Sequence, residues 1–176
     1  MTGIAGMARC AAVVALIVAL AGESAGGTAV EPGARGPVTN LPLPRYVSLR
    51  AASANARRGP DFDQRVDWEF VRRGLPLQVV AEYGLWRRVI DSEGLGGWVH
   101  NSLLSGARTG LVRGETAVAL HAAPSERSAV RAMAEPGVIA RIAACEAEWC
   151  DVSAGGFTGW IPQGVLWGVD PGEVFD

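Results

Sequence analysis

The 176-residue chain has no lysine: all sixteen of its basic residues are arginine, which reads as a compositional habit and not as a binding signal. Against eighteen acids they leave a formal charge of −2, which argues against nucleic acid or an anionic membrane surface as partner. Histidine is scarce, with only His100 and His121. No Ser-His-Asp or Cys-His set can be assembled around them. Cysteine is also scarce, and two cysteines without a nearby histidine cannot fill a tetrahedral zinc shell. Glu146 and Glu148 read as solvated charges on a hairpin tip, not as paired catalytic carboxylates. The glycine-bearing turns lead into strands and not helices, which excludes a phosphate loop. These absences predict a chain that is not an enzyme and holds neither metal nor cofactor.

Long apolar runs are missing too. The longest, Cys10 to Ala21, falls short of the roughly 20 residues that a membrane-spanning helix needs. It follows Arg9 and ends in Ala19-Leu20-Ala21 before Gly22, the pattern of a secretory signal peptide over residues 1–21. A short membrane anchor or a buried helix is the alternative. Cys10 opens the run instead of standing at the cleavage point, so it does not resemble a lipoprotein attachment cysteine. Cleavage implies an exported chain, periplasmic or secreted, with no stable membrane insertion. The remaining Cys145 and Cys150 are then expected to form a disulfide. Its short loop limits the entropic gain to about 2 kcal/mol. Residues 22–40, rich in Gly, Ala, Pro and Thr, read as a flexible leader.

What the chain does have is a stretch that occurs twice. Gly84 to His100 and Glu148 to Pro162 each read as a strand opened by Trp, a glycine turn, and a strand opened by Gly-Trp-aliphatic. Landmarks recur at one spacing: Gly74 and Gly137, Trp86 and Trp149, and Val89 and Val152 lie 63 apart, Trp98 and Trp160 62 apart. Two copies at such a period indicate two like domains and not a solenoid. Neither contains a convincing helix. Short strands between closely spaced turns predict an all-β chain of two small barrels. The expected division is 41–107 and 114–170, with a connector at 108–113 and a tail at 171–176. Units this small are marginal alone, so packing of one barrel on the other is expected. Within the first copy, Asp61 to Trp68 reads as a surface loop. Leu75, Leu77, Val79, Ala81 and Tyr83 should share one face of a strand.

These residues resemble the bacterial SH3-like (SH3b) family. The first copy offers Asn55-Ala56-Arg57 before Gly59-Pro60, then Gly74, Trp86-Arg87-Arg88-Val89, and Gly97-Trp98-Val99. The second offers Leu120-His121-Ala122, Pro124-Ser125, Gly137, Trp149-Cys150-Asp151-Val152 and Gly159-Trp160-Ile161. The resemblance implies two tandem five-stranded, partly open barrels. It also implies a binding or scaffold module of the cell envelope that recognises peptidoglycan or another wall polymer, or alternatively an envelope protein. His121 and Ala122 depart from the Arg and small polar residue usual at those positions in the family.

Strand alternation places Val89 and Val152 inward, with Arg87 and Cys150 at the core or its rim. Trp86 and Trp149 then lie on the opposite face with Arg88 and Asp151. An outward Trp is a candidate ligand platform, and Trp86, Tyr83, Arg57, Arg72, Arg88 and Trp149 are the candidate ligand-binding residues; alternatively, Tyr83 caps Trp86 and a neighbouring turn or the other domain caps Trp149. Gly97, Trp98, Gly159 and Trp160 read as structural. Trp167 is expected to seal the end of the second barrel or the contact between barrels. From Arg45 to Arg108 ten Arg face seven acids, a balance of +3, whereas from Gly114 onward three Arg face nine acids, a balance of −6. The contrast reads as complementary docking faces, or as a first barrel that holds an acidic ligand through Arg57, Arg58, Arg72, Arg73, Arg87 and Arg88.

Overall fold

A computed structural model of the chain describes residue 2 and residues 33–176. The expected signal peptide, Thr2 apart, and residues 22–32 of the expected leader lie outside that range. Among the described residues no helix is long and apolar enough to cross a membrane. The chain runs β1 (Ala34–Arg35), β2 (Pro42–Leu43), β3 (Arg45–Leu49), β4 (Ala54–Arg57), β5 (Val66–Phe70), β6 (Pro76–Tyr83), β7 (Trp86–Ile90), β8 (Gly96–His100) and β9 (Leu104–Ser105). It continues with β10 (Thr109–Val112), β11 (Val118–His121), β12 (Val130–Ala134), β13 (Ile139–Glu146), β14 (Trp149–Ala154), β15 (Phe157–Pro162) and β16 (Leu166–Trp167). Short 3-10 turns at Asn101–Leu103 and Gln163–Val165 precede β9 and β16.

Two seven-stranded sheets result, ordered β5-β4-β8-β7-β6-β3-β9 and β12-β11-β15-β14-β13-β10-β16. The second order is the first advanced by seven strands throughout, so the duplication read from the sequence is a duplication of topology. Each sheet surrounds its own core. Leu49, Leu77, Val79, Val89 and Val99 are buried in the first, and Val112, Ile142, Val152, Ile161 and Leu166 in the second. The glycine of each Gly-Trp pair has a physical cause. A Cβ on Gly97 would lie 2.6 Å from the carbonyl oxygen of Arg57, and one on Gly159 2.8 Å from that of His121. The crossing strand therefore leaves room only for hydrogen.

Several expectations are corrected. Val66–Phe70 is an edge strand paired with β4 and not part of a loop, so the surface loop there is confined to residues 58–65. Its Val66 and Trp68 stay exposed, which is why alternation was weak. Thr109–Val112, expected as connector, is β10, paired with β13 and β16 in the second sheet. Leader residues 34–35 pair with 42–43, and Val38 and Thr39 dock on Glu82. The tail docks as well: Cys145 and Phe175 exchange backbone hydrogen bonds of 2.8 and 3.1 Å.

The long strand β6 does not keep one face. A bulge between Val79 and Ala81 shifts its register. Leu77 and Val79 are buried as expected, but beyond the bulge Glu82 turns inward and Tyr83 is 65% exposed. Strand β13 carries the same bulge between Ile142 and Ala144, and there Cys145 turns inward. The cross-strand partner of Glu82 is Arg87, and that of Cys145 is Cys150. One site in the hairpin thus holds a buried ion pair at 3.5 Å in the first barrel and a disulfide in the second.

Glu82 is a buried anion with a full set of donors. Thr39 gives its hydroxyl at 2.7 Å and its amide at 2.9 Å, Val38 its amide at 3.1 Å, and Arg45 its Nη2 at 2.6 Å. Burial opposes ionisation here, but the bonds from Thr39, Arg45 and Val38 outweigh it and bring the pKa from 4.5 to about 2. Folding thus favours the carboxylate. Its contribution is complete above the unfolded carboxyl's 4.5 and is lost as pH falls towards 2. That interval corresponds to ~3 kcal/mol. Urea titrations of wild type and Glu82→Gln should therefore differ most near neutrality and converge in acid; parallel stability curves would refute this account. For the second hairpin, replacing Cys145 and Cys150 together by Ala should lower stability by about 2 kcal/mol. An unchanged urea midpoint would show that the disulfide contributes nothing.

Candidate ligand-binding site

The outward faces of β4-β8-β7 and β11-β15-β14 are equivalent surfaces that carry the Trp residues. In the first barrel Trp86 pairs across the strands with His100, and Arg88 with Trp98, which in turn faces Arg57 on β4. In the second barrel Trp149 pairs with Pro162, and Asp151 with Trp160, which faces His121. Alternation puts Val89, Val99, Val152 and Ile161 inward, so these residues share the outer face. Trp98 and Trp160 are half-buried on it.

The two outer Trp residues differ in cover. Trp86 is only 8% exposed. Phe62 from the β4–β5 loop meets it edge-on at 4.9 Å, and His100 does so at 5.5 Å. The cavity that remains beside it measures about 240 Å³. Tyr83, weighed as its cap, points to solvent. Trp149 is half-buried, with His121 edge-on at 5.4 Å. In the β11–β12 loop Glu126 takes the place of Phe62, so no aromatic lid covers the indole. A groove of about 950 Å³ opens beside it.

That groove runs from the β11–β12 loop past Trp149 and Pro162 to the junction of the barrels, where Tyr46 and Trp167 line it. These two rings meet edge-on at 5.3 Å, which assigns Trp167 to the contact between barrels. Burial, with the nearby Asp170 and Glu173 carboxylates, pushes the Tyr46 phenol up from its ordinary pKa. Charges of both signs line the groove: Arg113 and Arg127 against Glu126, Glu148 and Asp170. Burial and the neighbouring Glu173 also raise the Asp170 carboxyl. Glu173 moves the other way, held low by the two hydrogen bonds of 2.7 and 2.8 Å from Arg108.

The arginines of the first barrel do not form one cluster. Arg72 donates to the carbonyl of Gly137 at 2.9 Å and so ties the barrels together. Arg73 donates to the carbonyl of Arg50, and Arg87 is buried against Glu82. Arg58 pairs with Asp67 at 3.1 Å. Arg57 and Arg88 remain on the outer face beside Trp98, around a pocket of about 350 Å³. Sequence reasoning missed Phe62, Tyr46 and Glu126. An aromatic inside the otherwise polar Asp61–Trp68 stretch was the available signal for the first.

Among solved structures, NlpC2 from Trichomonas vaginalis is similar at 12% identity and a TM-score of 0.33, over 70% of this chain and 48% of that one. NlpC1 from the same organism is similar at 12% identity and a TM-score of 0.33, over 77% and 51%. The chain spans about half the length of each. No curated protein matches it. The family model described as bacterial SH3 domain matches twice, over residues 50–106 and 114–168. Each match falls within one of the two sheets, leaving out only β3 of the first and β10 of the second, and the chain belongs to the bacterial SH3 domain family as a tandem pair.

Proposed function

We propose that the chain is an exported, non-catalytic binding module of the cell envelope. On this reading its second barrel recognises peptidoglycan or another wall component in the groove beside Trp149. The observation that carries the reading is the half-buried indole, without the aromatic lid of Trp86, at the wall of a 950 Å³ groove, in a family of binding domains. A flat aromatic offers contact area at little entropic cost. Fixed guanidinium and carboxylate groups around it suit a ligand with both amino and carboxylate groups, as a wall stem peptide has. The disulfide supports an oxidising compartment and leaves neither Cys145 nor Cys150 as a nucleophile. The Ser102 Oγ to His100 Nδ1 contact of 2.8 Å is local to the 3-10 turn and reads as a cap, not as a nucleophile and its base.

The exposed edge strands favour a second reading, in which an envelope protein is held. Strand β5 presents Val66 and Trp68, and β12 presents Val130 and Met133, all at least 40% exposed. Cross-linking in the periplasm would then map to these strands and not to the groove. Under the first reading the mature chain pellets with purified sacculi at physiological salt, and Trp149→Ala weakens retention by about tenfold. Failure to pellet, or a Trp149→Ala variant that pellets like wild type, would remove the wall-binding reading.

A further inference from the structure

The outer face of the first barrel holds a second feature that the groove does not use. Arg57, Trp98 and Arg88 stand opposite one another on β4, β8 and β7, one row across three adjacent strands. Two strand spacings separate the arginine backbones, about 10 Å, with the indole between them. Arg88 is exposed and has no hydrogen-bond or ion-pair partner among the described residues. Arg57 gives one Nη1 bond of 2.7 Å to the carbonyl of Gln64 and keeps its other donors. The pocket over the row also includes Arg58 and Asp67 and is floored by the backbone of Gly96 and Gly97. Asp67 is already engaged, at 3.1 Å by Arg58 and 2.6 Å by Arg65, so it does not neutralise Arg57 or Arg88.

The second barrel supplies an internal control. Its equivalent row is His121, Trp160 and Asp151. The indole and its glycine persist, but both guanidinium groups are gone and one position carries the opposite charge. Packing of the Gly-Trp pair therefore does not require the arginines. Their placement on both sides of the indole is specific to the first copy.

We propose that this row is an anion-binding site for an acidic sugar unit, with the ring against Trp98 and its oxyanion taken by Arg57 and Arg88. Guanidinium forks match planar carboxylates and phosphates, and an indole face accepts a sugar ring without demanding a particular sequence of units. A nucleic acid fits less well. The chain is acidic overall, and the row offers only two guanidinium groups, one of them already bonded to Gln64, where a phosphate backbone needs an extended basic track. The site is separate from the groove beside Trp149 and does not rest on it.

The test uses the mature chain and four probes in affinity electrophoresis: polygalacturonate, phosphomannan, neutral dextran and a single-stranded oligonucleotide. Wild type should be retarded by one or both acidic polymers, less so as salt rises, and not by dextran. Which of the two retards it identifies carboxylate or phosphodiester as the oxyanion. Arg88→Asp, which copies the second barrel, should weaken retardation by about tenfold, and Arg88→Lys should restore part of it. Arg88 is exposed, so the fold should survive, and an unchanged urea midpoint confirms that. Trp149→Ala should bind the acidic polymers like wild type. Equal retardation of wild type and Arg88→Asp, or retardation by dextran as strong as by the acidic polymers, would overturn the proposal. Tighter binding of the oligonucleotide than of either polymer would replace the sugar with a nucleic acid.

Discussion

A single cross-strand pair sits at the inner end of the longest hairpin in each barrel, and much of the remaining structure follows from how it is satisfied. In the first barrel the pair is Glu82 with Arg87; in the second it is Cys145 with Cys150. Both occur because a bulge two or three residues earlier turns that position inward. The two solutions impose different demands. A buried carboxylate is tolerable only if every lone pair finds a donor. Glu82 obtains its donors from Arg45 and from the 38–39 segment, which is therefore drawn onto the barrel. A disulfide has no such requirement: the tail meets Cys145 itself through two backbone bonds with Phe175 and is otherwise held by Arg108 and Gln163. Each barrel is thus closed at the same place by one end of the described chain, by hydrogen bonds to a charge in one case and by strand pairing in the other.

The same pair positions the outer Trp. Trp86 stands one residue from Arg87, and Trp149 one from Cys150, so the inward anchor fixes the outward indole. Beyond that shared frame the copies have diverged both on the outer face and in the core. Phe62 covers Trp86 while Glu126 leaves Trp149 open, and Arg57 and Arg88 become His121 and Asp151. In the core, Val79 to Ile142 and Val99 to Ile161 are small changes, whereas Phe70 to Ala134, Leu77 to Ala140 and Ala56 to Leu120 exchange large and small side chains. Packing density ties such core changes to one another, since added or lost methylenes are felt there. No such limit acts on the outer face, where a change of charge costs little stability and alters what can bind.

The period of 62 to 63 residues was legible because it is carried by residues with single structural reasons. Gly97 and Gly159 are confined by a crossing backbone, and Val89 and Val152 by alternation about a core. The disulfide was legible from compartment and count. The bulges were not. Nothing in Leu77-Gln78-Val79-Val80-Ala81 marks an extra residue, and a strand read at strict period two puts Ala81 and Tyr83 inward and Glu82 outward. Strand β5 was missed for a related reason: as an edge it buries only Phe70, and its other residues carry no core signal. The docking of residues 34–39 is non-local. Its cause lies at Glu82, more than forty residues away, and composition alone gives Gly-Pro-rich segments the look of a linker.

The groove beside Trp149 is built almost wholly by the second barrel and the tail, and the first barrel adds Tyr46. Its far wall is Tyr46, from the first strand of the first sheet, pressed edge-on against Trp167 of the second. Arg108 lies 4.4 Å from the centre of the Phe175 ring and 5.8 Å from that of Tyr46, and the Arg72 bond to Gly137 spans the same junction. A domain of this size has little core to spare for a concave surface. Packing two of them edge to edge adds Tyr46 to the end of the second barrel's groove at no expense to either core. The duplication therefore does more than repeat a binding unit. It brings a ring of one barrel to the end of a groove in the other, and that groove is the one beside the Trp without a lid.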